Sequence, residues 1–166
     1  MTRGFETFEH TADIGIRAWG SEFSELFEEA AKALFDVMVD LKTVTPSQKL
    51  KVELKLPLTH TPFAKEGRAG LNLPYSVKGR GESEGFEELF LAWLQELLFI
   101  SDTKHLMLSE FKVLELTPDR LKAEVSGETA NAGKHVLKHE VKAVTRHQFK
   151  LVQKGPRYFA EAILDI

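Results

Sequence analysis

The stretch Phe5-Glu6-Thr7-Phe8-Glu9-His10-Thr11-Ala12-Asp13-Ile14-Gly15-Ile16-Arg17-Ala18-Trp19 decides how this chain is read. Ile14, Ile16 and Ala18 alternate with polar or small residues, so Phe5 to Glu9 and Ile14 to Trp19 predict two strands around a His10–Asp13 turn. The period then changes. From Glu22 to about Val39, Phe23, Leu26, Phe27, Ala30, Ala31, Leu34, Phe35 and Met38 recur at three- and four-residue spacing. That apolar stripe predicts a helix lying on a sheet, with Ser21 as its cap and Glu22, Glu25, Glu28 and Glu29 on an acidic outer face.

Leu50, Val52, Leu54 and Leu56 alternate with Lys and Glu after the Thr45-Pro46-Ser47 break, which marks a half-buried strand. Residues 57–85 hold three prolines and five glycines with little periodicity, and read as a surface excursion. A second helix is expected from Phe86 to Ser101, with Phe86, Leu89, Phe90, Trp93, Leu94, Leu97 and Leu98 inward and Trp93 in the core. Leu106 to Leu116 and Leu121 to Val125 read as strands joined at Thr117-Pro118-Asp119. Val144 to Val152 and Tyr158 to Leu164 read as a pair across Lys154-Gly155-Pro156. About seven strands and two main amphipathic helices give an α+β fold: one compact domain over residues 1–166, a mostly antiparallel sheet packed against the helices, with 57–85 as an excursion within it.

Composition narrows the function. The chain has no cysteine, which removes disulfide frameworks, thiolate zinc sites, iron–sulfur clusters and cysteine nucleophiles. A net charge of −3 offers no basic face for a phosphate backbone, so no direct nucleic-acid binding is expected. Lys134, Lys138, Lys142 and Arg146 recur every four residues and are read as a solvated face. The longest apolar runs fall far short of a membrane span, and the first residues lack the pattern of a secretory leader, so a soluble protein of the cytoplasm, off the membrane, is expected.

Two distant segments share one chemistry. Asp13 follows the first strand, and Asp165 stands beside Ile166, whose α-carboxylate adds a second anion at the chain end. Taken singly, Asp13 could close an Asx-turn and Asp165 could be a solvated tail residue. Brought together within ~4 Å, three carboxylates would repel by roughly 4 kcal/mol per pair at an effective dielectric near 20. A hard cation is the simplest remedy. Other motifs are weaker. Lys78-Gly79-Arg80-Gly81 lacks the spacing and setting of a phosphate loop. His135 and His139 would share a helical face as metal ligands, but no Glu adjoins the first His. No nucleophile-elbow sequence supports a hydrolytic triad with His10 or His147.

Taken together, His10-Thr11-Ala12-Asp13-Ile14-Gly15, Leu34-Phe35-Asp36-Val37-Met38, Trp93-Leu94-Gln95-Glu96-Leu97-Leu98, Glu140-Val141-Lys142-Ala143-Val144-Thr145-Arg146-His147 and Leu164-Asp165-Ile166 resemble the archease family in content and order. The chain departs from the family pattern at Arg146, where tyrosine is common, and around Thr59 to Gly85, which is longer than usual.

The resemblance implies a non-catalytic protein cofactor, not an enzyme. In that family the protein activates an RtcB-type RNA ligase, promoting its guanylylation and turnover in tRNA splicing or RNA repair. It also implies a metal site at Asp13, Asp165 and Ile166 for a divalent cation, calcium first, with manganese or magnesium as alternatives. His10 and His147 are expected beside that site or at an interface. Two rival readings remain open: an independent metal-dependent phosphohydrolase using the same acidic pocket, and a chaperone-like modulator of an RNA-modifying enzyme, marked by an exposed apolar patch.

Overall fold

The structure is a computed structural model that describes residues 3–57 and 82–166. Nearly all of the 57–85 excursion lies outside the described residues; its last residues, 82–85, form the first turn of the second helix.

Seven strands form two antiparallel sheets among the described residues. The first orders β1 (Gly4–His10), β2 (Asp13–Gly20), β7 (Arg157–Asp165) and β6 (Ala143–Lys154) side by side. The second orders β3 (Gln48–Lys55), β5 (Arg120–Thr129) and β4 (Leu106–Thr117). The expected sheet is therefore divided in two. The helix α1 (Phe23–Met38) packs on β1, β2 and β7 of the first sheet and on β4 of the second. Burial runs almost all round it, and Ala30, Ala31 and Ala33 let its neighbours approach closely. The second helix, α2 (Glu82–Lys104), packs on α1, β6 and β4. Trp93 is fully buried there and donates its indole N–H to the Phe27 carbonyl at 2.9 Å, so the expected core role holds.

Three local expectations give way to stronger interactions. Glu22, not Ser21, is the residue before the first turn of α1, its carbonyl accepting from the Leu26 N–H at 3.0 Å. Ser21 instead donates its N–H and hydroxyl to Glu25, and these bonds hold the Glu25 carboxyl below its ordinary pKa. The acidic face of α1 is not simply solvated: Glu29 is buried, and Arg3 donates to both Glu28 and Glu29 at 2.8 and 2.7 Å. Residues 130–142 form turns and a short bridge rather than a helix, so the four-residue spacing of basic residues has no common face. Lys134 pairs with Glu128, Lys138 with Asp36, and Arg146 with Glu88.

Candidate functional site

The turn between β1 and β2 contains only Thr11 and Ala12, and it sets His10 directly against Asp13. Thr11 has φ +52, the left-handed region that a β-branched side chain disfavours. Two-residue hairpin loops need a positive φ to follow the twist of the strands. Gly15 follows for a different reason: a Cβ there would lie 2.2 Å from the Phe8 ring, which covers it. The hairpin thus presents His10 and Asp13 on one face at its tip, since residues paired across an antiparallel ladder point the same way.

The other end of the chain joins the same sheet. Ile14 pairs with Leu164 on β7 as the last pair of that ladder, so Asp13 and Asp165 are the next residues on the two adjacent strands. On its far side Asp165 pairs with Ala143 of β6, and the Asp165 carbonyl accepts the Lys142 N–H at 2.7 Å. One row across the sheet therefore reads His10, Asp13, Asp165, Ala143. Side chains directly opposite have Cβ atoms about 5 Å apart. Ile166 follows Asp165 and packs partly against the core, which fixes the chain end beside this row. Asp13, Asp165 and Ile166, the three residues read from the sequence, thus lie at the ends of adjacent strands of one sheet.

A bulge in β6 brings His147 beside His10, as expected, and adds Gln148, which the sequence did not point to. Thr145 pairs with Ile163 and Lys150 with Glu161, so residues 146–149 of β6 oppose Ala162 alone. Within it, Gln148 has φ +57, and its side-chain oxygen lies 2.9 Å from His10 Nε2. The His147 ring stands edge-on to the His10 ring at 5.9 Å. The bulge is anchored from the core side by Phe149 against Phe90, and by Arg146, which donates to the buried Glu88 carboxylate at 2.5 Å. Three consecutive polar residues, Arg146-His147-Gln148, interrupt the alternation of β6; that interruption is the signal that locates the bulge.

His10 Nε2 lies 2.9 Å from the Gln148 side-chain oxygen, the arrangement of a ring N–H donating to a carbonyl. Nδ1 is buried and has no hydrogen-bond partner among the described residues. Further along the same face, Arg17 bridges Glu161 at 2.6 Å and Glu6, and its pKa is raised above the usual value chiefly by the bond to Glu161. Arg17 also stands 4.7 Å over the Phe8 ring. That neighbouring row keeps one net negative charge, with Arg17 shared between the two glutamates.

No three His, Cys, Asp or Glu side chains among the described residues converge to hold a metal ion. Asp13 and Asp165 are the acidic side chains at these strand ends, and the main-chain oxygens of Ile166 follow directly. All are oxygen donors, the set that suits a hard divalent cation. His135 and His139 do not form a metal pair. His135 is buried, its Nδ1 accepting the Asn131 N–H at 3.0 Å and its Nε2 donating to Glu128 at 2.8 Å, while His139 is exposed.

The sequence model of the archease protein family matches residues 5–60 and 75–166. The chain belongs to the archease family. Protein archease of Thermococcus kodakarensis is 37% identical over 169 residues, covering 99% of each chain. That of Sulfolobus acidocaldarius is 34% identical over 167 residues, covering 100% of each. Among solved structures, the solution structure of Methanobacterium thermoautotrophicum protein 1598 superposes with a TM-score of 0.71 at 32% identity, covering 98% of this chain and 99% of that one. The crystal structure of an archease from Thermotoga maritima, described as a possible chaperone, has a TM-score of 0.57 at 18% identity, covering 97% and 96%, and shares the fold. No helix among the described residues is long and apolar enough to cross a membrane.

Proposed function

We propose that this archease is a non-catalytic activator of an RtcB-type RNA ligase, acting through a divalent cation held at Asp13, Asp165 and the Ile166 carboxylate. The observation that supports the reading is the β2–β7 ladder, whose terminal Ile14–Leu164 pair leaves Asp13 and Asp165 at the ends of adjacent strands with Ile166 next in the chain. The ladders keep the two strand ends side by side, and a cation shared by the two carboxylates would offset whatever repulsion they meet. Calcium fits an open oxygen site best because it tolerates irregular geometry; manganese or magnesium would demand a more regular shell.

When bound, the cation supplies charge neutralisation of the kind nucleotidyl transfer requires. The chain's own groups present that charge. The ladder holds Asp13 and Asp165 in place, the Lys142 N–H fixes the main chain at Asp165, and Gln148 orients His10 so that Nδ1 is free to accept a hydrogen bond. A compact acidic tip of this kind offers a partner enzyme a preorganised anion rather than a substrate cleft. Tight coupling to the ligase also makes the cytoplasm its place of action.

The test is to incubate the ligase with GTP, a divalent cation and this protein, and to follow ligase guanylylation and repeated RNA joining. Wild type accelerates both, whereas Asp13→Ala and Asp165→Ala, folded as judged by circular dichroism, do not. Normal activation by the folded double variant would refute the reading. Phosphate-ester hydrolysis by the protein alone would favour the phosphohydrolase instead.

A further inference from the structure

A cavity of about 550 Å³ lies between the end of α2, the start of β4 and residues 137–141. Its floor is apolar, formed by Met38, Leu106, Met107, Leu137 and Val141. Leu137 is half exposed beside Val136, which is 54% exposed, so apolar surface continues out of the cavity onto the loop. At the rim stand Asp102, His105, His139 and Glu140, all exposed.

Charge decides what this cavity suits. Lys138 also lines it, but its ammonium group is engaged by the Asp36 carbonyl at 2.9 Å and carboxylate at 3.5 Å. Asp102 and Glu140 make no ion pair or side-chain hydrogen bond among the described residues. The walls are held in place: Ser101 donates to the Leu106 carbonyl at 2.7 Å, and His105, at φ +55, accepts the Ala130 N–H at 2.8 Å. The result is a formed apolar pocket with two unneutralised carboxylates at its mouth.

We infer that this cavity anchors a protein partner through a segment that carries an arginine or lysine beside a large apolar side chain. The methylenes of a basic side chain and its apolar neighbour cover the Met38–Met107 floor, and the cationic head reaches Asp102 and Glu140. An anionic segment would meet the same carboxylates as repulsion. Val141 lines the cavity while the next residue's N–H holds the Asp165 carbonyl, so a segment anchored here lies alongside the acidic row. The inference does not depend on a cation at that row.

The experiment uses the full ¹⁵N-labelled chain and two capped pentapeptides, Gly-Leu-Arg-Leu-Gly and Gly-Leu-Glu-Leu-Gly, followed by amide chemical shifts. The arginine peptide should shift the amides of His105, Ala130 and His139 saturably at millimolar concentration, and the glutamate peptide should not. The Asp102→Asn/Glu140→Gln double variant should weaken binding about tenfold, the loss expected of two partly exposed charge contacts. Its spectrum should remain that of a folded protein, since both sites are at the surface. Equal response to the two peptides, unchanged affinity in the double variant, or shifts confined to other surfaces would overturn the inference. A failure at Asp13 and Asp165 would leave these shifts untouched, so the two claims fail separately.

Discussion

Asp13 and Asp165 come from opposite ends of the chain, and each stands one residue beyond the Ile14–Leu164 pair that joins their adjacent strands. Backbone pairing on both sides, His10 with Asp13 and Ala143 with Asp165, denies either aspartate an escape by local movement. A sign reversal follows. Without divalent cations, Asp13→Asn should hold or slightly raise the melting temperature, because it removes a negative charge from the strand end beside Asp165. With a cation at about a hundred times its Kd, wild type should gain roughly 2.7 kcal/mol, or roughly 5–10 °C, and overtake the variant. Thermal melts with chelator and with calcium measure both; the same order in both conditions would contradict the prediction.

Gln148→Gly tests the bulge without disturbing its backbone. Glycine adopts φ +57 freely, so the main chain keeps its path while His10 loses the acceptor at Nε2. Stability should stay within about 1 kcal/mol of wild type. The ¹⁵N and ¹H signals of the His10 ring should nevertheless change, and ligase activation should fall. Unchanged ring signals would show that Gln148 does not orient His10.

The elements were legible where one period governs a segment. Leu50 to Leu56 alternate because one face of β3 is buried, and α1 shows its stripe because it lies on two sheets. What was not legible depended on partners far away in sequence. Nothing near Glu28 and Glu29 announces Arg3, and Glu128 is what turns His135 into a buried hydrogen-bonded residue rather than a ligand. The two carboxylates were visible as residue types, but the nearness of their strand ends rests on a register between strands some 150 residues apart, which no local pattern encodes. Gln148 was hidden because an alternation broken by a bulge looks like an ordinary polar surface.

Acid should loosen the loop after β5 before the core. Lys134, the Thr45 N–H and His135 all donate to Glu128 and hold its carboxyl down to about 2. The folded value lies below the unfolded one, near ~4.3. Its contribution is therefore fully present above about pH 4.5 and is lost as pH falls towards 2. Urea midpoints between pH 6 and pH 2 should fall more steeply in wild type than in Glu128→Gln, which has no such proton to take up. Parallel curves would show that these bonds add no pH-dependent stability.

The Ile166 carboxylate is separable from its side chain. Amidation of Ile166 by semisynthesis removes an anion with almost no change in shape, while the side chain keeps its packing on the core. Cation affinity and ligase activation should both drop, and the melting temperature in chelator should hold or rise. An amidated protein that matches wild type in affinity and turnover would leave Asp13 and Asp165 to act without it.

Calorimetric titration of calcium into wild type and into Asp13→Asn/Asp165→Asn tests the central claim most directly. A single binding event in wild type that disappears in the folded double variant is the predicted result. A double variant that binds calcium with wild-type affinity would place any cation elsewhere and contradict the account.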